Sequence, residues 1–287
     1  MPVHLIDITD VGPRTRNAGA DAARMDVAIC GIGAWLSGAP DWPTLRAILR
    51  GENGLRDGAP SKPAAPTLPP AERRRAPEAV LLAAEVAGQA CAMAQHDPAA
   101  LPCVFTSTHG ELAITDYMCA VLACAPRELS PTKFHNSVHN APAGYWTIAA
   151  HCVRASNAVT AWHASFGAGL LEAATLAVAE DTPVLFAAYD TASSGPLAEM
   201  TRTGRSFGAA LVLAPAGDSG SPSITVKPRA GIVFELPPPP GALANLAADN
   251  PLNAHALAFL AALAHDASAR LTLPAASGLL LDMEVRV

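Results

Sequence analysis

The segment Ala158-Val159-Thr160-Ala161-Trp162-His163-Ala164-Ser165-Phe166-Gly167-Ala168-Gly169-Leu170-Leu171 reads as a buried strand that turns through small residues into an apolar helix. Several α/β enzymes hold a nucleophile at such a turn, where one side chain stands beside the free amides of a helix N-terminus. The tip carries His163, Ala164 and Ser165, and no cysteine. His163-Ala164-Ser165-Phe166-Gly167 approximates the Gly-x-Ser-x-Gly nucleophile elbow, with histidine in place of its first glycine. Asp190 follows the next strand and His255 or His265 lies downstream, so the order Ser, Asp, His of a hydrolase triad is available. Thr108-His109-Gly110, after an earlier strand, can supply an oxyanion loop. The missing first glycine weighs against this chemistry, because that glycine permits close strand–helix contact. The competing reading makes Ser165 a small residue capping the helix.

Three other constellations bear on chemistry. His135 and His139 are four residues apart within Lys133–Val153, a stretch predicted to be one helix with Pro131 in its first turn. That spacing can present two imidazoles to one metal, but zinc sites need three or four protein ligands and no third ligand stands at a fitting distance. Polar positions at an interface or beside a pocket are therefore expected, with no metal and no cofactor. Gly31-Ile32-Gly33 after the first strand is half of a dinucleotide fingerprint. The third glycine and the acidic partner are missing, and Trp35 would crowd a pyrophosphate, so that reading is set aside. Arg73, Arg74 and Arg75 read as a solvated face or as a contact for an acidic partner such as a carrier protein.

The elements that must position these residues follow from periodicity. Strands are predicted at Asp26–Gly33, Pro102–Ser107, Val184–Tyr189 and Phe207–Ala214, and helices at Trp42–Arg50, Pro77–Gln95 and Ile114–Cys124. Residues 57–71 are rich in Pro and Ala and read as a loop. Strands alternating with helices predict an α/β domain with a largely parallel sheet covered on both faces. Residues 1–24 read as a poorly ordered leader. The tail holds a strand at Ile224–Val226, a polyproline spacer at Pro237–Pro240, a helix at Ala254–Ala264, and strands at Leu271–Leu273 and Leu279–Val285.

Composition narrows the function classes. The 287 residues are 51% hydrophobic and only 15% charged, enough for a large core and suggestive of a covered subunit interface. A formal charge of −6, with no basic stripe carrying aromatics, excludes nucleic-acid binding. Six cysteines without C-x-x-C spacing read as reduced core residues of a cytoplasmic protein. No apolar run is long enough for a signal core or a membrane span.

Ser130-Pro131-Thr132-Lys133-Phe134-His135-Asn136-Ser137-Val138-His139-Asn140-Ala141-Pro142-Ala143-Gly144-Tyr145-Trp146 resembles the β-ketoacyl synthases, whose corresponding segment carries an Asn-x-x-x-Gly core ahead of the nucleophile strand. It is more closely similar to the short ketosynthase-like proteins of aryl polyene pathways, the chain-length-factor type. The resemblance continues through Ala164–Ala173 and Phe207–Ala210 and spans residues 25–215. It implies one complete half of a thiolase-like fold, a five-stranded mixed sheet between helices, with residues 216–287 as a short C-terminal α+β extension packed on it.

The family's nucleophilic cysteine falls at Ala164, or at His163 with a one-residue shift, and neither residue can form a thioester. Two catalytic histidines, in His-Gly-Thr and Asn-x-x-Gly-His contexts, have no counterpart in the chain. Condensation needs a thiolate to take the acyl chain and histidines to support decarboxylation. The resemblance thus implies a non-catalytic subunit that pairs with an active ketosynthase, or with itself, and meets an acyl carrier protein in fatty acid or polyketide-like biosynthesis. Phe134, His135, Asn136, His139, Asn140, Tyr145, Trp146, Trp162 and Phe166 are its candidates for an acyl tunnel wall or for the interface around it. The rivals are hydrolase or acyltransferase chemistry at Ser165, and a homodimeric module that holds acyl groups or carrier protein.

Overall fold

The apolar run Met25–Leu36 forms β1, a strand with both faces covered, in the computed structural model of the chain, which describes residues 24–56, 61–193, 195–217, 222–232 and 243–287. The leader, apart from Arg24, and the spacer Pro237–Pro240 lie outside the described residues. After β1 come α1 (Trp42–Leu49), α2 (Pro70–Arg75), α3 (Glu78–Ala94), β2 (Cys103–Thr106), α4 (Leu112–Cys124), α5 (Pro131–His135) and α6 (Ala141–Ala149). The chain continues through β3 (Ser156–Val159), α7 (Ser165–Ala179), β4 (Val184–Asp190), α8 (Leu197–Thr201) and β5 (Phe207–Pro215). The tail contributes β6 (Ser223–Ala230), α9 (Leu243–Ala248), α10 (Pro251–Ala264), β7 (Ala269–Ala276) and β8 (Leu279–Arg286).

Among the described residues all eight strands share one sheet in the order β3-β2-β4-β5-β1-β6-β8-β7. The expected five-stranded mixed sheet is its β3-β2-β4-β5-β1 portion. The tail widens it, because β6 pairs with β1 along Met25–Ala28. A largely parallel sheet is not what forms: only β3, β2 and β4 run parallel, and every other pairing is antiparallel. Strand β5 returns antiparallel to β4 after a link whose described helix, α8, has only five residues, whereas the long helices α4 and α7 stand between the parallel strands.

Side-chain alternation divides the core. Val184, Phe186 and Ala188 of β4 face the layer of α1, α7 and α10, while Leu185, Ala187 and Tyr189 face α3 and α6. In β1 a bulge between Ile29 and Gly31 shifts the register, so Ile29 and Ile32 both face the α7 layer. Gly31 and Gly33 then face α3, where a Cβ would lie 2.1 Å from the Ala90 carbonyl oxygen and 2.0 Å from that of Val86. These glycines seat a helix on the sheet.

Two sequence readings need correction. Lys133–Val153 is not one helix, because α5 ends at Asn136 and α6 begins afresh with Pro142 in its first turn. A continuous helix would set the Pro142 ring against the Val138 carbonyl and remove a hydrogen bond. The strand before the turn, β3, is also not buried: Ser156, Asn157 and Ala158 are exposed at the sheet edge. Of the cysteines, Cys91, Cys103 and Cys152 are buried, but Cys119 and Cys124 are exposed on α4. Burial pushes the Cys91 thiol up to about 12 and that of Cys103 to about 11, which suits inert core residues. No helix among the described residues is long and apolar enough to cross a membrane.

Candidate functional site

The parallel strands β3, β2 and β4 end side by side, so the loops after them converge, as at ligand sites of other α/β sheets. From β3 the chain turns through Trp162, which is held in the left-handed region at φ 54°, to Ala164 at the N-cap of α7. The methyl group of Ala164 leaves that cap without a side-chain hydrogen bond. Thr106 Oγ1, at the end of β2, donates to the carbonyls of Val159 (2.9 Å) and Ser165 (3.0 Å), tying the turn to the neighbouring strand. Gly169 brings α7 onto the sheet; a Cβ there would stand 2.7 Å from the Phe186 ring.

Ser165 is fully buried, and both its hydrogen-bonding roles are taken. Its Oγ donates to the Trp162 carbonyl at 2.6 Å and accepts from the Ala161 amide at 2.9 Å. It staples the turn from beneath. Ser165→Ala is expected to cost about 1–2 kcal/mol of stability, since it orphans a partly buried amide. Urea denaturation measures this loss; a serine-directed fluorophosphonate should leave the wild-type protein unlabelled, and labelling would contradict a purely structural Ser165.

The triad order offered by the sequence does not assemble. Asp190 Oδ1 accepts from Ser107 Oγ (2.5 Å), Thr108 N (2.9 Å) and His109 N (3.3 Å), and its Oδ2 has no partner among the described residues. Neither oxygen bonds an imidazole. The buried carboxylate instead organises the turn after β2, and burial raises its pKa against the lowering effect of those hydrogen bonds. His265 caps the far end of α10 from His255. His255 is buried with Nδ1 unpartnered, and burial together with nearby His163 pushes its pKa down to about 4. Burial also lowers the pKa of His163 and of His109. Three imidazoles that favour the neutral state thus gather around the turn. Trp162 lies across two of them, edge-on to His109 at 5.0 Å and to His163 at 4.9 Å.

The remaining predicted residues separate into four places. Trp146 and Phe166 are core: Trp146 is fully buried against α3, and Phe166 packs edge-on to Phe186 at 5.5 Å. Asn136 is buried with Oδ1 unpartnered, and His139 Nε2 lies 3.2 Å from the Ser107 carbonyl oxygen. His135, Asn140 and Tyr145 line a surface cavity of about 570 Å³ that Leu68, Pro69 and Glu72 close on its other side. His135 and His139 therefore serve different surroundings, and among the described residues no group of three or more His, Cys, Asp or Glu side chains is placed to hold a metal. Phe134 is 57% exposed on α5 and Trp162 is 56% exposed. Sequence reasoning offers His109, His163 and His255 to one site as oxyanion loop, turn residue and triad base; what it misses is that they meet as three imidazoles around the turn without forming a triad.

Residues 51–273 match the model of the β-ketoacyl synthase N-terminal domain. The chain belongs to that family. No curated protein sequence matches it. Solved ketosynthase structures share its fold: a ketosynthase (ApeO) in complex with its chain length factor (ApeC) from Xenorhabdus doucetiae matches with a TM-score of 0.67 at 22% identity, over 91% of this chain and 99% of that one. The ishigamide ketosynthase/chain length factor matches at 0.64 and 16% identity, over 92% and 99% of the two chains. AntDE:AntF, a type II polyketide synthase acyl-carrier protein in complex with its hexaketide-bound ketosynthase, matches at 0.69 and 12% identity, over 92% and 100%. The fold is thiolase-like, as the ketosynthase resemblance implied.

Proposed function

We propose that the chain is a cytoplasmic, non-catalytic, chain-length-factor-type subunit that pairs with an active ketosynthase and helps shape its acyl tunnel in aryl polyene-like biosynthesis. The observation that carries this reading is Ala164 at the N-cap of α7. On the match that the family resemblance implies, a methyl group stands where the nucleophile would be, and the hydroxyl next to it is buried and engaged. A thioester has no atom on which to form.

Pairing is supported by the unsatisfied surface on the same side of the molecule. Among the described residues β3 pairs with β2 only, which leaves one row of its backbone groups at the sheet edge. Beside it on α6 Ile148 is 76% exposed, and Val153 just before β3 is 95% exposed; elsewhere, on α4, only Leu112 and Ile114 of an apolar helix are buried. A monomer has no use for so much uncovered apolar surface. The similar structures support the reading by what they hold: ketosynthases with chain length factors, and one with an acyl carrier protein. The exposed Arg74, in the run Arg73–Arg75, offers the carrier protein a positive contact.

The subunit acts sterically. Each methylene entering an apolar tunnel gains about 0.8 kcal/mol, and overpacking against a wall costs about 1–3 kcal/mol, which ends growth. Phe134, exposed on α5, is the side chain we assign to that wall. Co-expression with the active ketosynthase tests the proposal. The two should co-purify, and Phe134→Ala should lengthen the product. Condensation by this chain alone, or an unchanged product in its absence, would refute the reading.

A further inference from the structure

Phe134 stands on α5, a five-residue helix with no buried residue, so the core does not fix where its ring lies. Helix α4 before it buries only Leu112 and Ile114, both in its first turn. The far end of α5 is seated by the buried Asn136 at its C-cap. The near end needs another fastening, because a segment without buried contacts opens easily.

Tyr117 of α4 supplies it. Among the described residues, the hydrogen bonds between side chains of α4 and the segment 126–135 both belong to this tyrosine. Its hydroxyl accepts from the Ser130 amide at 3.1 Å and donates to the Glu128 carbonyl at 3.5 Å. Its ring carries Lys133 Nζ over one face, 3.6 Å from the centroid. Ser130 is in turn the N-cap of α5: its Oγ accepts from the Lys133 amide at 3.4 Å and its carbonyl from the Phe134 amide at 2.9 Å. Phe134 is thus next in the chain to the cation that the ring holds. It is also bonded directly to the residue that the hydroxyl holds.

We propose that Tyr117 is the positioning residue of the tunnel wall: by clamping Ser130 and Lys133 to α4 it fixes how far Phe134 reaches, and so the length at which elongation stops. The inference rests on the wall assigned to Phe134 above and adds what sets its reach. Leucine at position 117 loses both holds, and phenylalanine loses only the hydroxyl.

Two measurements separate the clamp from the wall. In the isolated full chain, trypsin cleavage after Lys133 reports opening of the clamp. Tyr117→Leu should speed it about tenfold and Tyr117→Phe about threefold. With the active ketosynthase and carrier protein co-expressed, Tyr117→Leu should shift the product toward longer chains although Phe134 is intact. Lys133→Met should do so to a smaller degree. Tyr117→Leu combined with Phe134→Ala should give the product of Phe134→Ala alone, because a positioning residue then has nothing left to position. Still longer chains from the double variant would make Tyr117 a wall in its own right and overturn the inference. Unchanged cleavage in Tyr117→Leu overturns it too. So does an unchanged product, and the wall stands if Phe134→Ala still lengthens the chain. If Phe134→Ala leaves the product as it was, the wall fails and the clamp's role with it. Should leucine prevent folding or pairing, as read by thermal melting and co-purification, Tyr117→Phe and Lys133→Met are read in the same way.

Discussion

Gly167→Ala should destabilise the protein by about 2 kcal/mol, although it places a better helix former inside α7. A Cβ at this position would lie 2.1 Å from the Pro274 carbonyl oxygen and 3.0 Å from its carbonyl carbon. Both atoms are backbone of β7, so relief requires moving a paired strand rather than a side chain. Overpacking of this kind costs about 1–3 kcal/mol. We place the case at or beyond the upper end, partly offset by about 1 kcal/mol of helix propensity. Gly54, where a Cβ meets nothing within 4 Å, is the control. Urea midpoints for the two variants should differ clearly, and equal midpoints would show that α7 does not depend on its seat against the tail. The result matters for the site, because the same helix begins at Ala164 and carries the turn with His163.

Acidification should destabilise the fold through His255, by about 3 kcal/mol between pH 6.5 and pH 4. Its folded pKa is pushed down to about 4, from 6.5 in the unfolded chain, mainly by burial. In that window the unfolded state binds a proton that the folded state refuses, so stability falls as pH falls. His109 and His163, lowered for the same reason, act in the same direction. Asp190, raised by burial, acts in the opposite one, because its folded carboxyl takes up a proton first. His255→Leu isolates the term. Near pH 7 the change should be neutral or stabilising, since Nδ1 has no partner to lose. Below pH 6.5 the variant should lose stability less steeply than wild type. Parallel pH profiles for the two proteins would rule out His255 as the origin of the slope.

Both expectations concern contacts between segments far apart in the chain, and this is where sequence reading ran out. Periodicity placed α3 and β4 within a residue or two, because their apolar patterns are long and unbroken. It missed α2 and α8, which are too short for a period to show, and it ran α5 and α6 together across Pro142. It also took Ala158-Val159 for a buried strand, because apolar character says nothing about position in a sheet. There β3 is an edge, and the exposure of its residues is a property of strand order.

The sequence by itself determined what stands at the turn: the residue at the start of α7 is alanine, and no rearrangement of the fold can make it a nucleophile. The identity of a capping residue is local, so it could be read directly. Tertiary structure alone decided how the rest of the site is built. Parallel pairing of β3, β2 and β4 brings the ends of three separated strands together, placing His109, His163 and Asp190 around the turn, while α10 adds His255. Tertiary structure likewise put β3 at the edge of the described sheet, because strand order follows from which backbones pair, and a local pattern of residues does not carry that.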